Sequence, residues 1–168
     1  MKKILQSIGL LLLLLTASSK LFGKDYIRVV GGSWDDSTHW FTEGGHEVPN
    51  DKRAHVKLYN TETTPFNLNL NADAYWTVNH LDVYGNAWTL FGGTLYFDNA
   101  LLPNPTDFPK ISYSGTQTLT LATSLYILSK TLLDVVDPAG TIRLQGEVKS
   151  KGYAPWLALY KTGPGTLF

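Results

Sequence analysis

The chain has 168 residues, 43% of them hydrophobic, and 14 basic against 14 acidic residues give a formal charge of zero. That composition fits one globular domain with its own core and excludes an intrinsically disordered chain. The balanced charge carries no basic stripe, which excludes nucleic acid as the expected partner, and the absence of cysteine excludes disulfides, a lipid-attachment cysteine and thiolate metal sites.

The first segment in chain order is a targeting signal. Lys2 and Lys3 form a positive n-region, and Ile8 to Ala17 form a short apolar h-region around the unbroken run Leu10 to Leu15. Ala17-Ser18-Ser19 then supplies small residues for cleavage after Ser19. The apolar run falls short of the ~20 residues a spanning helix needs, so residues 1–19 read as a cleaved signal peptide and not as an anchor. Cleavage would remove two lysines and leave 12 basic against 14 acidic residues, a net charge of −2.

Residues 20–60 are expected to hold N-terminal strands and a tryptophan-rich cap. Tyr26 to Val30 puts Ile27 and Val29 on one face before Gly31-Gly32 breaks the strand. Trp34 and Trp40 bracket a polar turn that contains Asp35, Asp36 and His39, and they suit a cap over the first repeat unit. Ala54, Val56 and Leu58 alternate with His55, Lys57 and Tyr59, as in a half-buried strand.

Residues 61–168 are expected to form stacked strand-rich repeats. Phe66, Leu68 and Leu70 should face inward and Asn67, Asn69 and Asn71 outward. Leu119 and Leu121 alternate with Thr118 and Thr120, and Ile142 and Leu144 with Arg143 and Gln145. Within Ala122 to Val136, Leu125, Leu128, Leu132 and Val136 have spacings that a helix also produces, and the surrounding pattern decides for strands. A glycine-led signal recurs at Gly93-Thr94-Leu95, Gly115-Thr116-Gln117-Thr118-Leu119, Gly140-Thr141-Ile142 and Gly165-Thr166-Leu167, at intervals of 22, 25 and 25 residues. A near-constant period of this length marks a repeat architecture, here an all-β solenoid with one coil per repeat and a glycine corner in each.

Two stretches carry a family resemblance. Gly32-Ser33-Trp34, Trp40, Gly44-Gly45 and Val48-Pro49-Asn50-Asp51 with Ala54 and Val56 resemble the opening of autotransporter passenger domains. Lys161-Thr162-Gly163-Pro164-Gly165-Thr166-Leu167 resembles the autotransporter-associated β-strand repeat, Lys-Thr-Gly-x-Gly-Thr-Leu. The resemblance spans roughly Gly31 to the C-terminus. It implies a right-handed parallel β-helix exported to the cell surface, outer membrane or medium, with structural repeat residues and no catalytic ones. Such passengers usually run for many more coils into a membrane barrel, and a barrel of at least eight strands is not encoded here. The expectation is therefore a truncated reading frame or a short free-standing relative, whose membrane association would come only through a missing C-terminal region. Its last coil should present an open edge prone to self-association.

Chemistry is sparse. Asp35, Asp36 and His39 are candidates for a cation or catalytic cluster, although adjacent acids in a turn more often bond the local backbone. His39, His46, His55 and His80 lack paired ligand spacing, no Gly-x-Ser-x-Gly elbow is present, and Gly92-Gly93 and Gly163-x-Gly165 lack the helix of a phosphate loop. Asp134, Asp137, Arg143 and Glu147 are the candidates for a polysaccharide-acting enzyme. Trp76, Tyr84, Trp88, Tyr96, Tyr113, Tyr126, Tyr153, Trp156 and Tyr160 could line a sugar-binding face or form stacked ladders. The expected function is an adhesin-like structural protein without catalysis, cofactor or metal. Its ligand would be a surface polysaccharide or a host- or neighbour-cell ligand. A secreted carbohydrate-binding module is the alternative, with tryptophan exposure as the discriminating feature.

Overall fold

The computed structural model describes residues 24–98, 108–150 and 159–168. The expected signal peptide, Tyr153 and Trp156 lie outside them. Strands β1 (Asp25–Arg28), β3 (His55–Asn60), β6 (His80–Gly85), β8 (Lys110–Ser114), β10 (Thr131–Val135) and β13 (Leu159–Thr162) form a six-stranded sheet in that order. Strands β2 (Gly32–Ser33), β4 (Phe66–Asn69), β7 (Trp88–Phe97), β9 (Thr118–Ile127), β11 (Thr141–Leu144) and β14 (Thr166–Leu167) run through the second sheet; β5 (Tyr75–Val78) pairs with β7, and β12 (Val148–Ser150) with β9. All these strand pairings are parallel. The chain visits the two sheets in turn, so each circuit adds a strand to both.

Period-two patterning builds the core. Val56, Leu58, Leu81, Val83, Ile111, Leu133 and Val135 point inward from the first sheet, and Leu68, Leu90, Leu119, Leu121 and Ile142 from the second, all of them buried. Phe66, half-buried, packs against this core, whereas Asn67 is exposed. The stretch 122–136 is strand through Ile127 (β9) and from Thr131 to Val135 (β10), with a bend at 128–130 between them. Its buried residues include Leu125, Ile127, Leu133 and Val135, while Val136 of the helical-spacing set is 47% exposed. In β1 the apolar face looks outward. Tyr26 and Arg28 take the inward positions, and Val29 is exposed.

The corner glycines need correction. Gly85, Gly115, Gly140 and Gly165 stack in one column, where the chain leaves the first sheet for the second. A Cβ built on Gly115 would lie 1.9 Å from the Gly85 carbonyl oxygen, one on Gly140 2.4 Å from that of Gly115, and one on Gly165 2.8 Å from that of Gly140. Among these four only Gly85 has a positive φ, of 84°. The requirement at the other three is close backbone approach and not a backbone conformation that a Cβ disfavours. Gly93 belongs to a different corner. With Gly92 it bends β7 at a bulge where two residues oppose Thr123 alone, and both have positive φ. Accordingly Leu95 pairs with Leu125, whereas Trp88, Leu119, Ile142 and Leu167 share the interior column.

Two stability outcomes are expected. Gly115→Ala should destabilise by about 1–3 kcal/mol or more, because the carbonyl it meets is fixed by strand pairing. The adjacent exposed Thr116→Ala should stay within about 0.5 kcal/mol. Urea midpoints compare the two, and equal shifts would refute the close-approach account. Leu68→Ala should cost about 2–5 kcal/mol against about 0.5 for Asn67→Ala. Equal costs in the same titration would contradict the inward–outward alternation.

Candidate functional site

The segment after β1 closes one end of the core. Trp34 and Trp40 are fully buried, with ring centroids 5.0 Å apart in an edge-to-face arrangement. Trp34 Nε1 donates to the Pro49 carbonyl at 3.1 Å, and Trp40 Nε1 to the Trp34 carbonyl at 2.6 Å. Both large rings therefore enter the interior with their polar edges satisfied. The Ile27 and Phe41 backbones exchange hydrogen bonds at 2.9 Å, covering the β1 edge with an antiparallel bridge.

Arg28 is fully buried beneath this cap. Its guanidinium lies 5.1 Å from the Trp40 ring and donates to the carbonyls of Val30 (2.9 Å), Gly31 (3.0 Å) and Asp36 (3.4 Å). Burial lowers its pKa, opposed by the charges of Asp36 and Asp35. Arginine stays protonated regardless, so the three carbonyls solvate a buried cation.

The acids in the cap serve local structure. Asp35 accepts from Ser33 Oγ at 2.5 Å and Asn71 Nδ2 at 2.6 Å. Asp36 caps a 3-10 turn at Ser37–His39, accepting from Thr38 N at 3.1 Å and Thr38 Oγ1 at 2.5 Å, with His39 Nδ1 at 2.7 Å. The Thr38 hydroxyl, then His39, holds the Asp36 carboxyl below its ordinary range. Among the described residues no group of three or more His, Cys, Asp or Glu side chains is placed to hold a metal ion.

The other candidates are dispersed. Asp134 sits on the outer face of β10, 3.9 Å from Lys110. Asp137 shapes a turn by accepting from Ala139 N, Arg143 lies on the outer face of β11, and Glu147 pairs with Lys149. These four do not form one site. His55 and His80, 25 residues apart, are brought together, with rings stacked at 4.3 Å. Their spacing is one circuit of the chain, the signal that could have revealed the pair.

The aromatics divide into two sets. Trp34, Trp40, Trp88 and Tyr113 are buried, and half-buried Trp76 donates to the Leu70 carbonyl at 2.8 Å. Outside, Tyr59 stacks on Tyr84 at 4.7 Å with 9° between planes, and Tyr96 on Tyr126 at 4.8 Å. Tyr75 meets Tyr96 edge-on at 5.8 Å. Tyr160 lies under Lys130, whose Nζ is 4.6 Å from its ring and equally far from that of Phe108. Tyr96 has a ring on each side, and Tyr126 has Tyr96 on one side and Lys149 on the other, so this surface is a side-chain ladder. No family model, curated protein or solved structure matches the chain.

The Asp36 geometry gives a pH test. A depressed carboxyl pKa stabilises fully above the unfolded value, about 3.9, and loses that contribution as pH falls through the lower folded value. Asp36→Ala should therefore loosen the cap at neutral pH. The difference from wild type should shrink in acid. Near-UV circular dichroism of the buried tryptophans against denaturant, at pH 7 and below pH 4, reads both. A difference unchanged across that range would contradict the capping role.

Proposed function

We propose that this chain is an exported right-handed parallel β-helix segment of autotransporter-passenger type, acting as a surface or secreted adhesin-like scaffold without intrinsic catalysis. The glycine corner column carries this reading. In each circuit a carbonyl of the preceding circuit occupies the space where a Cβ would stand, and this favours one coil stacked closely on the next. Right-handedness follows the general rule for crossovers between parallel strands of one sheet.

Two further observations support it. The largest aromatics, Trp34, Trp40 and Trp88, are committed to the interior, which favours a scaffold over a module that displays a tryptophan pair. The enzyme candidates Asp134, Asp137, Arg143 and Glu147 point to separate partners. Among the described residues no helix is long and apolar enough to cross a membrane.

Export supplies the test. Expressed with its own N-terminus in a bacterium with two membranes, the chain should leave the cytoplasm and lose Met1 to Ser19. N-terminal sequencing of periplasmic or secreted material should begin near Lys20. Recovery of the intact N-terminus in the inner membrane would refute the cleaved-signal reading.

A further inference from the structure

Over most of its outer face the first sheet carries side chains stacked strand upon strand, and β8 interrupts the pattern. Ile111 and Tyr113 of β8 turn into the core, which leaves Lys110, Ser112 and Ser114 outward. The register sets Ser112 between Asp82 of β6 and Asp134 of β10, and Ser114 beside Tyr84. Two short side chains thus lie between taller ones. The flanking strands are two spacings apart, ~9.6 Å at ~4.8 Å each. The result is a trench running along β8, with serines on its floor.

Two features of the trench suit a ligand. Ser112 is only 7% exposed, yet neither its hydroxyl nor that of Ser114 has a hydrogen-bond partner among the described residues. Solvent still reaches the Ser112 oxygen from the trench side, so a ligand in the trench can take the place of that water. The second feature is Tyr84. One of its faces rests on Tyr59 at 4.7 Å, and the other turns toward Ser114, where no ring of the described residues covers it. The ladder has a vacant rung of one ring's thickness.

The polar groups define what would fill it. Asp82 and Asp134 stand across the trench, with Lys110 Nζ 3.9 Å from Asp134 at one end. Thr162 Oγ1 donates to Asp134 Oδ1 at 3.1 Å and fixes that carboxylate. Lys57, opposite Asp82 on β3, donates to Asp25 at 2.6 Å, so across the trench Asp82 and Asp134 against Lys110 disfavour anionic ligands. Carboxylates and hydroxyls around a ring-sized slot suit a ring edged with hydroxyl donors and having an apolar face for Tyr84.

We propose that the β8 trench is a saccharide subsite that takes one ring of a neutral glycan. The sugar lies over Ser114 against Tyr84, with its hydroxyls on Asp82, Asp134 and Ser112. This gives the scaffold a ligand class, goes beyond the reading above, and does not rest on export.

The test is titration of the full chain with cellotetraose, chitotetraose and maltotetraose, and with tetragalacturonate as the acidic counterpart, followed by calorimetry and amide chemical shifts. At least one neutral probe should bind, shifting the Tyr84 to Asp134 region, and tetragalacturonate should bind at least tenfold more weakly. Ser114→Tyr supplies the missing rung and closes the trench. Its thermal midpoint should match or exceed wild type, and its affinity should fall at least tenfold. Should that variant fail to fold, Tyr84→Leu removes the open ring face and should weaken binding likewise. Failure of all three neutral probes to bind at millimolar concentration overturns the proposal. So does binding that a folded Ser114→Tyr leaves intact. Either failure leaves the scaffold reading standing, because export and the glycine column are read by other measurements.

Discussion

The fold depends on how closely one backbone circuit can approach the last at its corners. Parallel pairing fixes neighbouring strands ~4.8 Å apart, and the turns between sheets must keep the same pitch. At the first corner a carbonyl points at the Cα of the next circuit, and glycine admits it at 85, 115, 140 and 165. The bend of the second sheet follows the same rule. A Cβ on Gly146 would lie 1.8 Å from the Thr123 carbonyl oxygen, and one on Gly93 would lie 2.8 Å from that of Leu70. Buried Thr123 is accepted in this row with its Oγ1 donating to the Gly93 carbonyl at 3.1 Å. Once both corners keep pitch, side chains at equivalent positions meet. Leucines then stack on leucines inside, and Tyr59 on Tyr84 and His55 on His80 outside. Each such cross-strand pair adds roughly 0.2–1 kcal/mol.

Regular stacking also determines where a ligand could enter. On a surface of aligned side chains, a tall residue at every rung leaves no recess. The recess at β8 arises from two serines between taller neighbours. It needs no loop and no insertion. Rigidity follows from the same source, because Ile111 and Tyr113 hold β8 from beneath, and Tyr113 Oη donates to the Gly85 carbonyl at 3.3 Å. A subsite on such a strand is preorganised by the core and not by its own contacts.

Much of the strand pattern was legible in the sequence. Alternation at 54–59, 66–71 and 118–121 identified inward residues, because one face of each strand is wet and the other dry. Which way Trp34 and Trp40 point was not legible, because a polar turn between two tryptophans fits a buried pair and an exposed one alike. The repeat frame was legible only in its later circuits. Gly140-Thr141-Ile142 and Gly165-Thr166-Leu167 have the same short step from corner to core. In earlier circuits the step lengthens, from Gly115 to Leu119 and from Gly85 to Trp88. The conspicuous Gly93-Thr94-Leu95 arises from the bend in β7, and it imitates a corner that belongs to Gly85. The inward Arg28 was not legible, because its solvation comes from carbonyls that only the folded cap assembles. Nor was the trench, because two serines spaced by two in a strand mean nothing until their neighbours across the sheet are known.

The two outer edges of the described sheets differ, and charge placement explains how. At the β1 end, Phe41 bonds the exposed backbone and the tryptophan pair seals the core. At the other edge of the described sheets, β13 and β14 each pair on one side. There Lys161 occupies the column that Leu133, Ile111, Leu81 and Val56 fill with apolar groups. Its Nζ donates to the Gly163 carbonyl at 2.8 Å, folding the charge back over its own turn. An inward-pointing lysine is one way by which sheet edges resist unplanned pairing, since a strand added above it must desolvate the ammonium or supply it with a partner. Phe168, 71% exposed, works the other way by offering apolar surface at the same edge. The outcome at this edge turns on which contribution is larger. Full burial of a phenylalanine contributes about 1.5–3 kcal/mol, whereas leaving an ammonium buried and unpaired costs considerably more. A strand laid beside β13 therefore has to preserve the contact of Lys161 with the Gly163 carbonyl or bring another acceptor to the ammonium.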